Sequence, residues 1–558
     1  MGILNVLEKS PLHRYAIEMK GMPSAVLSFQ LLLTVFCYAI SGAPRGFDEG
    51  VIASISQLKS FTKAFALTSS SATASASVAN KISNMVSLVS LGCGIGPILS
   101  LPLNDVLGRR NSVRLWQLVN AAGLVIEITS GGRFSQLYAG RIIAGCGIGA
   151  LTVIGPLSLS ETAPRPIRGL IAFTFNMCMI GAQVLGIFIV YGVQKHMKAS
   201  DIQWQLPLIL MLMPVVIALA LSFFISESPR WLVSRGKEEE ALRTLCKLRR
   251  LPADHPFVQD EYQSIVTAYE EERLALGESS LFQRIWECFS VRSNWRRMRT
   301  VIIAYLLAQF SGSNSITNYL PTILGYIGQN SADDKLLYTA GNSLVKLSSV
   351  ILASFFLIDA LGRRKSFLTG VIIQGLCHTY LAIYINRSVT THNVTEGSSK
   401  MALAAIYLQS LGWGMGLLPL PYLFGAELFP TRIRAVGGAI AAAWHWLFFF
   451  AMVKATPSLL TSTNTWGAFA FFAVWCAIAW VYGFLMVPET SGRSLENIQK
   501  LFELKWYEVR KHAYPTDEEV MIVAIPHDAD KPEVEHIDGK LADDLDHEEH
   551  QHKVQSRV

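Results

Sequence analysis

The sequence has 558 residues, of which 51% are hydrophobic and 16% charged, with a mean hydropathy of +0.34 and a formal net charge of +6. This composition excludes an ordinary soluble protein, because the apolar residues fall in blocks of about 20 residues, the length of a helix that crosses a bilayer. The modest net charge gives no indication of a nucleic acid partner, and we expect the lipid bilayer to surround most of the chain.

The apolar blocks predict an all-α integral membrane protein with twelve transmembrane helices, because lipid offers no hydrogen-bond partner to a backbone outside a helix or a closed barrel. We expect two pseudo-symmetric halves of six helices each. The predicted spans lie near 26–47, 82–101, 113–130, 135–159, 170–194, 204–225, 300–324, 338–358, 366–385, 401–425, 436–457 and 466–487.

Charged stretches divide the chain into five parts. We expect a cytoplasmic N-terminal segment (1–25), a first six-helix half (26–225), a cytoplasmic helical linker (226–299), a second six-helix half (300–487) and an acidic, largely disordered cytoplasmic tail (488–558). The tail contains His, Asp and Glu residues that could bind a metal, but a solvated tail is the plainer interpretation. We therefore expect neither a metal nor another cofactor.

A heptamer of the first half, Asp105-Val-Leu-Gly-Arg-Arg-Asn111, recurs in the second half as Asp359-Ala-Leu-Gly-Arg-Arg-Lys365. This repeat indicates a duplicated membrane bundle, an architecture that is typical of transporters. Basic residues concentrate in alternate short loops, which the positive-inside rule assigns to the cytoplasm together with both termini. The glycosylation sequons at Asn386 and Asn393 fall on the opposite side, as glycosylation requires.

Arginines and glutamates recur at the predicted cytoplasmic helix ends of both halves, and we interpret them as a gate. If the corresponding loops of the two halves converge, their ion pairs form when the cytoplasmic mouth is shut and break when it opens. The alternative is that single arginines only anchor the topology, but the repeated Arg and Glu pattern favours a gate. The candidate gate residues are Arg109, Arg110, Glu161, Arg168, Glu227, Arg230, Arg363, Arg364, Glu427 and Arg434.

Two ionisable residues of the first half are candidates for proton coupling. Asp48 ends the predicted first span and Arg141 opens the fourth. Each costs about 2.5–3.5 kcal/mol to place in a membrane, so each needs a reason to be there. A carboxylate beside a guanidinium holds its charge, whereas a carboxylate separated from it in a drier site takes up a proton. A permanent salt bridge between two helices explains the same two residues equally well.

Arg141 is followed by Gly145, Gly147 and Gly149, a spacing that also occurs in phosphate-binding loops. No strand precedes these glycines, so we predict that they allow close packing between helices instead. The same interpretation applies to the glycines of the second span, Gly92, Gly94 and Gly96.

Neutral hydrogen-bonding side chains cluster in the fifth and seventh spans. Amides and aromatic rings around a cavity suit an uncharged polyhydroxylated ligand, because an amide both donates and accepts and a ring packs on C–H groups. Interhelical amide bonding explains any one of these residues, but explains their concentration poorly. The candidates are Asn176, Gln183, Gln309, Asn314, Asn318 and Tyr319, with Tyr422, Trp444 and Trp446 as aromatic neighbours.

In combination, these motifs resemble the sugar porter family of the major facilitator superfamily over about residues 25–500. The acidic tail and the Pro488 motif are most similar to fungal members of the sugar:proton symporter type. The matching motifs include Gly46-Phe-Asp-Glu-Gly-Val-Ile, Asp105-x-x-Gly-Arg-Arg, Arg141-x-x-x-Gly-x-Gly-x-Gly, Glu227-Ser-Pro-Arg-Trp-Leu, Gln309-Phe-x-Gly-x-Asn and Pro488-Glu-Thr-x-Gly-Arg.

The resemblance implies roles for individual residues. Proton symporters of the family carry an acid at the position of Asp48, which favours the coupling interpretation over the salt bridge. Arg45 replaces an apolar residue and adds a positive charge that could meet a substrate carboxylate, or pair with Glu49 at i,i+4. The sequence also departs from the family pattern at Ala308, Asn318 and several of the ligand positions. Sugar ligands of the family map onto Asn176, Gln183, Gln309, Asn314, Tyr422, His445 and Trp446.

We therefore predict a proton-coupled transporter of a monosaccharide, a hexose or pentose, that works by alternating access in the plasma membrane. A transporter of an acidic sugar or polyhydroxy acid, such as galacturonate or quinate, is one alternative. A nutrient receptor that signals through its tail is another. No nucleophile–base arrangement indicates an enzyme. Lysines of the tail are candidate sites of ubiquitin-dependent turnover, namely Lys531, Lys540 and Lys553.

Overall fold

The computed structural model describes residues 19, 22–67, 72–277, 279–329, 331–353, 362–391, 395–418, 428–487, 489 and 514, with only the backbone at 72–76, 391 and 431. Within these ranges the protein is α-helical and contains no β-strand. The all-α prediction is confirmed. The predictions for most of the N-terminal segment and nearly all of the acidic tail fall outside the described residues.

The first half is built from helices that supply six spans. The first span is broken into α1 and α2, and the sixth into α8 and α9. The helices are α1 (Phe29–Ile40), α2 (Ala43–Ile55), the short α3 (Lys59–Ala64), α4 (Ala72–Leu107), α5 (Arg109–Ile128), α6 (Phe134–Thr162), α7 (Arg168–His196), α8 (Asp201–Leu210) and α9 (Leu212–Ser222).

The linker contains four described helices, and the second half repeats the plan of the first with its opening span broken in two. The linker helices are α10 (Pro229–Ser234), α11 (Glu238–Arg249), α12 (Pro256–Leu276) and α13 (Leu281–Ser290). The helices of the second half are α14 (Arg292–Phe310), α15 (Ser313–Tyr326), α16 (Ala332–Leu352), α17 (Arg363–Thr391), α18 (Glu396–Met415), α19 (Arg434–Ser462) and α20 (Trp466–Met486).

Every predicted span corresponds to a helix or a helix pair among the described residues. By length and composition alone, seven helical segments of the described residues could cross a membrane, and one of them is the α8–α9 pair. The other spans are broken or carry more polar and charged side chains. The predicted end of the first span was wrong, because the chain turns at Ser41 and Gly42 and continues as α2, with Pro44 in its first turn. Proline is well tolerated there, since the first N–H groups of a helix have no partner inside it. Asp48 therefore lies within a helix and not at its end.

Close approach of α4 and α6 holds the first half together. A methyl group on Gly92 or Gly96 would overlap the backbone of α6, and one on Gly145 or Gly149 would overlap the backbone of α4. Small residues that let two backbones approach are the usual means of helix packing in membranes. The predicted packing role of these four glycines is confirmed. Gly94 differs, since its nearest neighbour would be Trp446 Cβ at 3.6 Å.

The two halves meet through α4 with α19, α7 with α16, and α2 with α15. At the end opposite the linker, side chains join the halves: Lys454 Nζ lies 2.6 Å from Asn80 Oδ1, and Gln194 donates to Asp333 at 2.9 Å. Tyr319 of α15 donates to the carbonyl of another residue of the second half, Val453, at 3.1 Å.

The linker contacts both halves. Arg249 is fully buried, pairs with Glu261 through two hydrogen bonds of 2.8 and 2.6 Å, and donates to the carbonyl of Thr162 in the first half at 3.0 Å. On the other side, Arg432 of the second half donates to Glu287 of the linker at 2.9 Å. The linker is thus an ordered bridge on one end of the bundle.

Candidate functional site

Asp48 and Arg141 lie in direct contact between α2 and α6. Arg141 Nη1 donates to Asp48 Oδ1, and Nη2 donates to Oδ2 at 3.3 Å. Arg141 Nε donates to the carbonyl of Met85 at 2.8 Å, and the guanidinium is fully buried. Proton coupling and a permanent salt bridge both require this contact, so the pair is the right starting point for an experiment on coupling.

Glu127 of α5 is a second carboxylate beside Arg141, and the sequence analysis missed it. Its Oε2 lies 3.8 Å from Arg141 Nη1, on a side chain with no exposed area. Neither carboxylate oxygen has a hydrogen-bond partner among the described residues. Gly140 makes room for it, since a methyl group there would come within 2.7 Å of Glu127 Cγ. The sequence did contain a signal for Glu127, because a single acid within a predicted span is a candidate functional residue.

Arg45 lies one turn before Asp48 on α2 and faces the second half. Its guanidinium is 3.8 Å from Asp48 Oδ2 and 3.7 Å from Glu49 Oε2. The same group lies over the rings of Trp446 and Phe449 in α19, at 4.8 and 4.9 Å from their centroids. Arg45 therefore makes the predicted i,i+4 pair with Glu49 and also a cation–π contact across the two halves.

Lys346 of α16 is a second buried cation that the sequence analysis missed. Its Nζ lies 3.8 Å from Glu49 Oε1 and 4.7 Å above the Trp413 ring of α18. Only 5% of Lys346 is exposed. The buried charged side chains form one series across the bundle, in which each lies within 3.8 Å of the next. In order, they are Glu127, Arg141, Asp48, Arg45, Glu49 and Lys346.

An amide cluster occupies the break between α14 and α15. Asn314 Nδ2 donates to Gln309 Oε1 at 2.8 Å, and Gln309 Nε2 lies 3.1 Å from His445 Nδ1 of α19. Asn318 Nδ2 donates to the carbonyl of Asn314 at 2.8 Å. Because the His445 ring lies 4.8 Å from that of Trp446, the amides adjoin the Arg45 contact described above. The structure thus brings these five predicted residues together.

Other predicted ligand positions are more dispersed. Gln183 of α7 is buried and its Nε2 has no hydrogen-bond partner among the described residues, whereas Asn176 on the same helix is exposed. Tyr319 points its hydroxyl at the main chain of α19. Tyr422 lies outside the described residues. Of these two α7 residues, Gln183 has a donor without a partner among the described residues, and Asn176 has an exposed side chain.

Gate residues of the first half form a tight cluster at the linker end. Arg109 Nε and Nη2 each lie 2.9 Å from an oxygen of Glu161, and Ser228 Oγ donates to Glu161 at 2.7 Å. Glu227 accepts hydrogen bonds from the backbone N–H groups of Arg109 at 2.7 Å and Arg110 at 3.1 Å. The carboxylate of Glu227 thus caps the N-terminus of α5, where the helix dipole favours negative charge.

The second half repeats this cap. Glu489 accepts from the backbone N–H groups of Arg363 at 2.9 Å and Arg364 at 3.1 Å, at the start of α17. The glycine before each arginine pair has a positive φ, +83° at Gly108 and +84° at Gly362. A side chain at either glycine would be strained and would collide with the capping carboxylate. The repeated Gly-Arg-Arg motif is thus a preformed site for a glutamate.

The remaining gate residues make local contacts. Arg230 Nη2 lies 2.9 Å from Glu272 in the linker, and Arg434 donates to the main chain five residues earlier at 3.2 Å. Arg168 is exposed at the start of α7, and Glu427 lies outside the described residues. Each of the gate contacts named here lies within one half or within the linker, or joins one half to the linker or to the tail, so convergence of loops from the two halves stays a prediction.

Glu227→Gln should lower the free energy of unfolding by about 1–3 kcal/mol, because a neutral amide replaces the charged acceptor of several backbone N–H groups. Thermal unfolding of the purified protein in detergent measures the effect. Glu239→Gln is a matched control, since Glu239 is exposed in the linker and pairs only with Arg243 one turn away among the described residues. Equal losses of stability in the two variants would contradict the capping role.

The structure describes one of the two predicted glycosylation sites. Asn386 lies in the last turns of α17 and not in a loop, and Asn393 lies outside the described residues. No group of three or more His, Cys, Asp or Glu side chains placed to hold a metal occurs in the described part of the chain.

Comparison with known proteins identifies relatives over most of the chain. The model of the family described as "Sugar (and other) transporter" matches residues 34–502. A protein of Aspergillus fumigatus named "Probable quinate permease" is 30% identical over 504 residues, covering 88% of this chain and 90% of that protein. A protein of the same name from Aspergillus niger is 30% identical over 509 residues, covering 90% of this chain and 92% of that protein.

Solved structures show the same architecture. A proton:xylose symporter of the major facilitator superfamily, XylE bound to 6-bromo-6-deoxy-D-glucose, matches with a TM-score of 0.69 and 22% identity, covering 85% of this chain and 99% of that one. Inward-open XylE from E. coli matches with a TM-score of 0.68 and 20% identity over 84% of this chain and 99% of that one. The predicted fold of two six-helix halves is confirmed, and with the family model covering most of its length, the chain belongs to the sugar (and other) transporter family.

Proposed function

We propose that this protein carries a monosaccharide, a hexose or pentose, across the membrane together with protons, by alternating access of its two six-helix halves. The observation that carries the proposal is the buried Asp48–Arg141 pair. Through Arg45 and Trp446 this pair connects to the amide cluster around Gln309, so a group that can hold a proton lies close to groups that can bind hydroxyls.

Coupling follows from the electrostatics of this region. A proton on Asp48 removes the negative charge of this residue from the neighbourhood of Arg141, and the carboxyl oxygens of Glu127, 3.8 Å away, remain beside the guanidinium as acceptors. Arg141 can then shift away from Asp48 without becoming an isolated buried charge, which would be costly in a membrane. The rearrangement would change the contacts between α2, α5 and α6 as substrate binds.

Substrate recognition would use the amide cluster and its aromatic neighbours. Gln309 and Asn314 can donate to and accept from sugar hydroxyls, and the Trp446 ring can pack on the C–H face of a sugar. Gln183 has a free donor on the opposite helix. No resident cofactor is needed for this process, and the proton is the coupling ion.

A polyhydroxy acid or acidic sugar is a second candidate substrate. Arg45 is the observation that favours it, because a fixed positive charge beside the amide cluster can bind a carboxylate. The names of the Aspergillus relatives, quinate permeases, agree with this candidate.

We further propose that the protein lies in the plasma membrane, with both termini, the linker and the capped helix ends in the cytoplasm. The arginines at the linker end support this orientation, since positive residues are retained on the cytoplasmic side. The same topology divides the chain into the five parts expected from its sequence. We propose a transport role without enzymatic activity, and turnover through ubiquitin on the tail lysines.

Uptake by transporter-deficient cells tests the function. Radiolabelled glucose, xylose, galactose, rhamnose, galacturonate and quinate would be compared with and without a protonophore. The proposal predicts uptake of at least one neutral sugar that the protonophore abolishes, while uptake of the acids alone would support the second candidate. A protein that moves none of them, but whose signalling output depends on residues after about 510, would be a receptor.

A further inference from the structure

A second charged centre, around Lys346, lies outside the coupling pair and the amide cluster. We propose that Lys346, Asn342 and Trp413 form a subsite in the second half that binds the carboxylate of a polyhydroxy acid. This subsite rests on the transport function proposed above and specifies its second candidate substrate.

Lys346 is a cation without a close partner. An ammonium group is costly to place in a membrane span, so a buried lysine is normally paired closely. Its one charged contact among the described residues is Glu49, at 3.8 Å, which is longer than a hydrogen bond. Glu49 is also shared with Arg45 at 3.7 Å. Lys346 therefore retains the capacity to bind another anion.

Unpartnered donors surround this lysine. Asn342 precedes Lys346 by one helical turn and shares its face of α16. Its Oδ1 accepts a hydrogen bond from Ser410 at 2.9 Å, which fixes the amide, while its Nδ2 has no partner among the described residues. The indole N–H of Trp413, whose ring lies under the lysine, is likewise buried and without a partner in the described part of the chain.

Lys346, Asn342 and Trp413 each offer a donor, and one unpartnered acceptor, Glu49 Oε1, lies 3.8 Å from the ammonium group. A buried donor without an acceptor destabilises the protein, so a ligand that supplies acceptors gains from binding here. Hydroxyl oxygens can accept such hydrogen bonds, but a carboxylate supplies two oxygens and a negative charge for the ammonium. The chemistry of the site therefore selects a carboxylate over a hydroxyl.

Kinetics of Lys346→Met in proteoliposomes test the subsite. Methionine keeps the length and apolar stem of lysine but removes the charge. We expect KM for quinate or galacturonate to rise about 10- to 100-fold, the equivalent of one charged hydrogen bond, with KM for xylose changed less than about twofold. Lys400→Met is the matched control, because Lys400 is exposed at the start of α18 and pairs with Glu396 one turn away on the same helix, and it should leave both KM values unchanged.

Glu49→Gln should change KM in the opposite direction, and a lower KM cannot be explained by misfolding of the variant. It removes the anion that competes for Lys346, so KM for the acid should fall. If both substitutions weaken acid uptake equally, or if Lys346→Met affects acid and neutral substrates alike, the subsite is wrong. Wild-type transport of neutral sugars alone would also overturn it while leaving the main transport proposal intact.

Binding of quinate to the purified protein, measured by calorimetry, covers the case in which no transport occurs. Binding that is lost in Lys346→Met but kept in Lys400→Met would support the subsite even though the transport function had failed. Absence of binding to the wild type would overturn the subsite.

Discussion

Asp48→Asn is expected to abolish accumulation of substrate against its gradient, so that the internal concentration only reaches the external one. Asparagine keeps the size of the side chain and can still accept a hydrogen bond from Arg141, but it cannot take up a proton at physiological pH. Exchange of labelled for unlabelled substrate across the membrane should continue, because it needs no net proton movement. Proteoliposomes with an imposed pH gradient measure both processes.

Asp260→Asn supplies the control for this experiment. It makes the same chemical change at an exposed position of the linker helix α12, away from the proposed gate. We expect accumulation by this variant to be normal. Full accumulation by Asp48→Asn would show that the Asp48–Arg141 pair is a permanent salt bridge and that the proton travels elsewhere.

Gly145→Ala is expected to prevent stable folding of the first half. The added methyl group would overlap the carbonyl oxygen of Val89 and lie 3.1 Å from Gly92 Cα, so α4 and α6 would have to separate along their length. Overpacking of this kind costs about 1–3 kcal/mol or more where backbone atoms are involved. Size-exclusion chromatography of a fluorescent fusion should show a large loss of monodisperse protein, and any remaining protein should melt earlier.

Gly94→Ala makes the same substitution two residues from Gly92 on α4. Its methyl group would meet Trp446 Cβ at 3.6 Å, an ordinary contact, so its yield and melting temperature should stay close to those of the wild type. Comparable damage from the two substitutions would indicate that helix propensity or insertion, and not the α4–α6 contact, limits folding.

The helical architecture was predictable because a membrane leaves the backbone few alternatives. Hydrophobic blocks located the spans, and the repeated heptamer indicated two related halves. The break in the first span was missed, since Pro44, Arg45 and Asp48 together gave the composition of a helix end. Helix α2 is buried on nearly all sides, so its charged residues are held by partners on other helices rather than by solvent.

The candidate site was only partly predictable. Asp48 and Arg141 belong to motifs with a recognisable spacing, whereas Glu127 and Lys346 are single charged residues in otherwise ordinary spans. Their importance depends on partners that are distant in sequence and adjacent only after folding. The contact between Gln309 and His445 has the same origin, because 136 residues separate the two side chains in the chain.

The capping role of Glu227 and Glu489 could not be predicted from their motifs alone. Similar positions of Glu227 and Glu489 after the sixth and twelfth spans were visible in the sequence. Their shared function was not, because it depends on backbone N–H groups that are released only at the start of a helix. The predicted partners of Glu227 were arginine side chains, whereas the backbone N–H groups of the arginine pairs donate to both glutamates.

Two arginine–glutamate pairs hold the linker in different ways. The buried Arg249–Glu261 pair lies within the linker and joins α11 to α12, and breaking it would cost about 3–5 kcal/mol. The Arg432–Glu287 pair joins the linker to the second half; its side chains are 40% and 25% exposed, and an exposed pair contributes up to about 1 kcal/mol. Weakening Arg249 should therefore shorten the lifetime of the protein, whereas weakening Arg432 should loosen the linker from the second half with little effect on that lifetime.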